Sequence, residues 1–320
     1  MFETRVTKML GTRYPIVAGT MMYLSRPEFV AACSNAGALG ILASAMFRSK
    51  DEFRDGVKKV KDLTDQPFAV NLNLFPMMRP VDNQVYLDVI LDEGLKIVET
   101  SGHKAPEELC KRFKDAGLVW IHKCVGVRYA LKVQSMGADI VTVVGYENGG
   151  ATGVLDISTL VLVPRVVEAL DLPVIGGGGV ADGRGILAIL ALGAEGVIMG
   201  TRLLTTEECP LHPNVKQALL EASELDTMLI MRSIGSTHRA WSNAAAKTVL
   251  ELEQKNAGLE AIVKAAGGDK AERMYSEGET DMGILACGQA IGLVHDIIPV
   301  RELFDRIMKQ AEEFSKKLAS

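Results

Sequence analysis

The chain has 320 residues, 48% of them hydrophobic, and a formal net charge of -5, with no stripe of Lys and Arg interleaved with aromatics, so a nucleic-acid footprint is not expected. No apolar run reaches membrane-spanning length, and the N-terminal stretch MFETRVTKMLGTRYPIV scatters charges where a signal peptide needs an apolar core. The five cysteines (Cys33, Cys110, Cys124, Cys209, Cys287) form no C-x-x-C pair, so a reduced, cytoplasmic protein without a bound metal is expected.

In chain order, the first predicted strand is PIVAG (15–19), leaving through Ala18-Gly19-Thr20-Met21-Met22, where small residues and backbone groups can line a planar ring. One grammar then recurs in NAGALGILAS (35–44), DEGLKIVETS (92–101), DAGLVWIHKC (115–124), SMGADIVTVV (135–144) and ALGAEGVIMG (191–200). Each ends a helical pattern on a Gly, as a left-handed C-terminal cap requires, and runs into a strand that is apolar on both faces. With FAVNLNLF (68–75) and PVIGGGG (173–179) this makes eight strands. Amphipathic stretches such as SKDEFRDGVKKVKDL (49–63) and PEELCKRFKD (106–115) separate them, and eight βαβ units predict an α/β fold, the (β/α)8 TIM barrel. A doubly wound sheet is the rival, but PIVAGTMMY carries no G-x-G-x-x-G.

After Thr201 the pattern changes. From Glu207 to Asp281 the sequence reads as helical with no clear strand, so a helical insertion or lid over 207–281 is expected between barrel segments 1–206 and 282–320. A charged amphipathic helix, VRELFDRIMKQAEEFSKKL (300–318), closes the barrel.

Active sites of such barrels lie at the C-terminal strand ends. The last two strands end in IGGGGVADGRG (175–185) and IMGTR (198–202), glycine turns that let backbone N–H groups approach an anion. A helix starting near Asp182 or Gly183 would add its positive dipole end, so a phosphate site is predicted there. The fifth strand ends in WIHKCV, and Lys123 inside a buried strand needs a partner: a phosphate, a carboxylate or the N1/O2 edge of a flavin. A lysine snorkelling to the barrel mouth fits the spacing equally well. His122 faces the other way and reads as a hydrogen-bonded structural histidine. On the third strand Asn71 and Asn73 share one face, and buried amides need donors and acceptors such as a flavin provides. The sixth strand runs into GYENGGATG (145–153), where Glu147 reads as a loop-capping carboxylate or a proton donor, the former favoured. There is no G-x-S-x-G, H-E-x-x-H or Walker A sequence.

With VNLNLFP, IHKCVGVRYALK (121–132), GYENGG, GGGGVADGRG, MGTRLLTTEECPLHP (199–213) and LIMRSIGSTHRA (229–240) in view, the chain resembles the nitronate monooxygenase (2-nitropropane dioxygenase) family of FMN-dependent barrels, closest to its NADH:quinone reductase branch. The resemblance implies FMN, with its phosphate on Gly178, Gly179, Gly200 and Thr201, and Gly177 standing where relatives often carry Ser. It implies a flavin ring near Thr20, Met21, Asn71 and Lys123, with Gly150 close by. It also implies NADH or NADPH as co-substrate and a small-molecule acceptor; a homodimer is the partner arrangement considered, and the sequence leaves the oligomeric state open. The departure is Ala151, which stands where relatives place a proton-handling His directly after the two glycines. Losing a general acid or base costs about 10²–10⁴-fold where proton transfer belongs to the chemical step, and much less where only hydride or electrons move. An NAD(P)H-dependent reductase of a quinone or other conjugated acceptor is therefore expected first, a nitronate monooxygenase second and an enoyl-type reductase third. The roles of Arg232, His238 and Arg239 stay open between a dinucleotide contact and solvated helix charges.

Overall fold

A computed structural model describes residues 2–75, 82–102 and 104–319; Pro76, at the end of the predicted third strand, lies outside the described residues. Eight parallel strands form one sheet: β1 (Ile16–Ala18), β2 (Gly40–Ala43), β3 (Phe68–Asn73), β4 (Ile97–Ser101), β5 (Val119–Cys124), β6 (Ile140–Val144), β8 (Val174–Gly177) and β9 (Gly196–Met199). The strand β7 (Gly150–Ala151) lies outside it. The order β1-β9-β8-β6-β5-β4-β3-β2 closes on itself where Ala18 N–H donates to Leu39 O at 2.9 Å and Leu39 N–H to Ile16 O at 2.9 Å. The expected TIM barrel is what the chain forms.

The glycine grammar has the predicted cause. Gly37, Gly94, Gly117, Gly137 and Gly193 all have φ between 65° and 99°, the left-handed region that a side chain resists, and each turns a helix into a strand. Strand periodicity then sorts the core into two parts. Leu39, Ile41, Ala69, Ile97, Ile121, Ile140, Ile175 and Ile198 fill the barrel interior, together with Val6 and Leu10 of α1 (Arg5–Leu10). Gly196, at the start of β9, leaves 3.0 Å between a Cβ built there and Val6 Cγ1, so α1 plugs the N-terminal end. The alternate residues, such as Val70, Val98, Trp120 and Val143, face the outer helices in a larger second core.

The region 207–281 departs from expectation. Besides α9 (Pro213–Leu220), α10 (Ala244–Gln254), α11 (Leu259–Ala265) and α12 (Gly268–Glu277), it holds β10 (Thr227–Ile230) and β11 (His238–Trp241). These pair antiparallel, and β11 pairs in turn with β7. Four-residue strands carry little local pattern, and here their partner is a barrel loop some ninety residues back in the chain, a contact that no local window registers. The chain comes back beside its exit point at Ile298, whose O accepts from Glu207 N–H at 3.1 Å. The final helix α13 (Val300–Ala319) packs against α8 (Gly183–Ala191). Among the described residues no helix is long and apolar enough to cross a membrane.

His122 has the structural role expected of it. It points outward from β5, 2% exposed, with Nδ1 2.7 Å from Thr100 Oγ1, which accepts from Trp120 Nε1–H at 2.8 Å. Thr100 thus links the imidazole and the Trp120 indole in one buried hydrogen-bonded chain. Burial, helped by the charge of Lys123, pushes the imidazole down from 6.5 to about 4. Between those values the unfolded chain binds a proton that the folded chain does not, so stability falls as pH drops from 6.5 towards 4, by on the order of 3 kcal/mol from this group. Denaturant melts at pH 7 and pH 4.5 should show the loss, and His122→Gln should remove most of this contribution to the pH slope.

Candidate functional site

Parity along β3, β4 and β5 turns Asn71, Glu99, Ser101 and Lys123 into the barrel, above the apolar layers. Glu99 was not singled out from the sequence, and it organises the group. Its carboxylate has no solvent exposure, and Oε2 accepts from Thr20 Oγ1–H at 2.8 Å and from Asn71 Nδ2–H at 2.6 Å. Oε1 lies 3.6 Å from Lys123 Nζ and has no hydrogen-bond partner. Asn71 also donates to Ser101 Oγ at 3.1 Å, and its carbonyl accepts from Ser44 Oγ at 2.6 Å. Lys123 has thus met a carboxylate, one of the partners foreseen for it, while keeping its ammonium partly open to the mouth. Met21 is partly buried on the exit turn of β1, its N–H donating to Ser25 Oγ at 2.9 Å, so it adds apolar wall next to Thr20. Asn73 is used locally, its Oδ1 accepting from Phe75 N–H at 3.2 Å. The signal for Glu99 was present in IVETS, a lone carboxylate in a strand buried on both faces.

The glycine turns after β8 and β9 divide their work. Gly178 and Gly179 have φ of 104° and 78°, and their N–H groups, with that of Gly200, have no acceptor among the described residues. A Cβ at Gly200 would meet nothing within 4 Å, so open space lies there, and Thr201 Oγ1 beside it accepts from Gly288 N–H at 2.8 Å while keeping its own proton to donate. Gly177 is different: a Cβ there would overlap Ile198 Cγ2 and come within 2.8 Å of Ile198 O, so packing of β8 on β9 demands this glycine. One expectation fails. The N-terminus of α8 is capped by Asp182, whose Oδ1 accepts from Arg184 N–H at 2.9 Å and Gly185 N–H at 3.2 Å, and Gly183 N–H donates to Gln310 Oε1 at 2.8 Å. A carboxylate already occupies that dipole end, so an anion would have to sit on the glycine turns alone.

The loop after β6 wraps over the mouth. Glu147 caps α7 (Thr159–Val167), accepting from Thr159 N–H at 3.0 Å and Thr159 Oγ1–H at 2.7 Å, so it is no free acid. Gly150 has φ 86° and Ala151 is exposed. Directly across the strand pair from Ala151 stands His238, whose Cε1 lies 3.7 Å from a Cβ built on Gly150. Burial pushes this imidazole down to about 4, so it is neutral at pH 7. Arg239, next to it, is not a solvated helix charge. It is 3% exposed on β11, with its guanidinium 4.4 Å from the Tyr146 ring centroid, Nε donating to Tyr146 O at 3.1 Å, and Nη2 without a partner. Arg232 does sit in solvent, paired with Asp156.

The family model for nitronate monooxygenase matches residues 3–310. Among curated proteins, the chain is 34% identical to (3aS,4S,5R,7aS)-5-hydroxy-7a-methyl-1-oxo-octahydro-1H-indene-4-carboxyl-CoA dehydrogenase of Rhodococcus jostii, over 97% of this chain and 96% of that protein. It is 30% identical to a probable nitronate monooxygenase of Staphylococcus saprophyticus, over 75% of this chain and 79% of that one. Among solved structures it is similar to FabK from Thermotoga maritima, with a TM-score of 0.92 and 32% identity over 100% of this chain and 99% of that one.

Gly177→Ser should cost about 1–3 kcal/mol in denaturant unfolding, since the added atoms meet backbone and cannot be accommodated by a rotamer change. Gly200→Ala should stay within about 0.5 kcal/mol of the parent.

Proposed function

This chain belongs to the nitronate monooxygenase family of oxidoreductases, and from that premise we propose that it is an FMN-dependent, NAD(P)H-linked reductase of a conjugated acceptor such as a quinone. The observation that carries the reading is the ammonium of Lys123, held on the inner wall of the barrel mouth by buried Glu99, which itself accepts from Thr20 and Asn71. The residues present fit the cofactor. Unpartnered N–H groups of Gly178, Gly179 and Gly200 and the Thr201 hydroxyl suit a phosphate, and the polar mouth layer suits the pyrimidine side of the ring.

When bound, FMN supplies two-electron transfer between a dinucleotide and an acceptor. The chain supplies orientation and field. Lys123 sets positive charge where negative charge develops on reduction. Met21 adds apolar wall beside Thr20. Ala151 offers no proton, Glu147 is committed to its helix cap, and burial holds His238 below the usual imidazole range, so none of these three supplies a charged general acid. That favours acceptors whose reduction does not depend on a protein acid, quinones among them.

A second reading has specific support. The 34% identity with a carboxyl-CoA dehydrogenase runs the length of both chains, and supports a CoA thioester as the organic substrate. Anaerobic mixing of the FMN-loaded protein with NADH, NADPH, propyl nitronate or an acyl-CoA thioester, followed by flavin absorbance, separates these readings. Bleaching by a dinucleotide with reoxidation by a quinone is the expected result. Bleaching by nitronate alone, or by the thioester alone, replaces it with the corresponding alternative. Ala151→His should raise turnover of nitronate or enoyl substrates while leaving quinone reduction within a few-fold, as stopped-flow traces would show.

A further inference from the structure

Glu99 is the one fully buried carboxylate inside the barrel among the described residues, and nothing about a phosphate cradle or a ring site requires it. An uncompensated carboxylate in such a place costs several kcal/mol, so its neighbours must be matched to it. They are: Thr20 comes from the exit of β1, Asn71 from β3 and Lys123 from β5, three separate elements converging on two oxygen atoms. The two oxygens are used unequally. Oε2 is satisfied by two short hydrogen bonds, while Oε1 is inaccessible to solvent and makes no hydrogen bond. A ligand in the mouth therefore does not reach Glu99. It reaches the Lys123 side chain, which is 21% exposed on the far side of the pair.

We propose that Glu99 is a positioning residue that holds the Lys123 ammonium on the inner wall and offsets its charge, so that the bound ring feels an ion pair instead of a bare cation. The hydrogen bonds from Thr20 and Asn71 fix the carboxylate's orientation and leave Oε1 turned to Lys123. The pair is the element that sets how far the mouth favours the reduced, negatively charged ring over the oxidised, neutral one. This rests on the FMN reading above, and it makes an additional claim about the chain itself, namely that Glu99 holds the Lys123 ammonium in place with or without a ligand.

Both claims are testable together. In the FMN-loaded protein, Glu99→Gln removes the counter-charge. The ratio of affinities for reduced over oxidised FMN should rise about tenfold, read as a midpoint potential about 30 mV higher for the two-electron couple. Lys123→Met should move the potential the opposite way, and the double variant should return close to the parent. Equal shifts in one direction, or a Glu99→Gln shift below threefold, overturn the proposal. In the FMN-free protein, Lys123 is labelled by ¹³C reductive methylation and assigned by the loss of its signal in Lys123→Met. Its ¹³C resonance should move in Glu99→Gln as the ammonium leaves the place that the carboxylate holds it in, and an unmoved resonance overturns the proposal. Failure of the parent to bind FMN would sink the cofactor reading and leave this second measurement to decide the role of Glu99. Should Glu99→Gln not fold, Glu99→Asp, which keeps the charge but draws it back from Lys123, should shift both readouts in the same directions by smaller factors; no shift in either overturns the proposal.

Discussion

A carboxylate with no access to water stays charged only where cations and donors come to it, and the upper barrel is arranged around that demand at Glu99. Thr20 on the exit turn of β1, Asn71 on β3 and Lys123 on β5 are brought together, and the strand register that brings them is fixed by the apolar layers beneath. A slip of one residue in β4 would turn Glu99 and Ile97 outward against the helices and bring Val98 into the interior. Core packing and site chemistry are therefore one constraint. The apolar interior specifies the register, and the register delivers the polar layer to the mouth.

Around that layer, the glycine turns after β8 and β9 look alike in sequence but differ in purpose. Gly177 is required by the closeness of β9, Gly178 and Gly179 by their left-handed backbone, and Gly200 by neither, its Cα facing open space. Asp182 fills the adjacent helix terminus, which narrows any anion site to the turns themselves. On the other side of the mouth, β7, β10 and β11 form a small sheet whose middle strand sets His238 against Ala151 and buries Arg239 on Tyr146. The region after the eighth strand is thus tied to the loop after the sixth by backbone hydrogen bonding, and the mouth is bounded on both sides by regular structure.

Much of this was legible in the residues. The repeated helix–Gly–strand grammar carries the fold because a left-handed cap and a strand buried on both faces each leave a local mark. Asn71, Lys123 and the glycine runs were legible because polar or missing side chains stand out in apolar strands. Glu147 was readable as a cap from its place in a tight loop before a helix. Glu99 carried the same mark as Lys123, a charge inside IVETS, but its meaning depends on partners 28 and 79 residues away in sequence. The strands β10 and β11 left no mark, since four residues of mixed polarity are strand only because β7 lies beside them.

By itself the sequence determined the barrel, its eight strands, the glycines that end its helices and the absence of a reactive side chain at Ala151, because each follows from the chemistry of one residue and its near neighbours. Tertiary structure alone decided that Lys123 pairs with Glu99, that Asp182 closes the helix terminus beside the glycine turns, and that His238 stands across from Ala151. Those are distances between segments remote in the chain. They are fixed by closure of the barrel and by pairing of β11 with β7, which bring charges together that local pattern cannot.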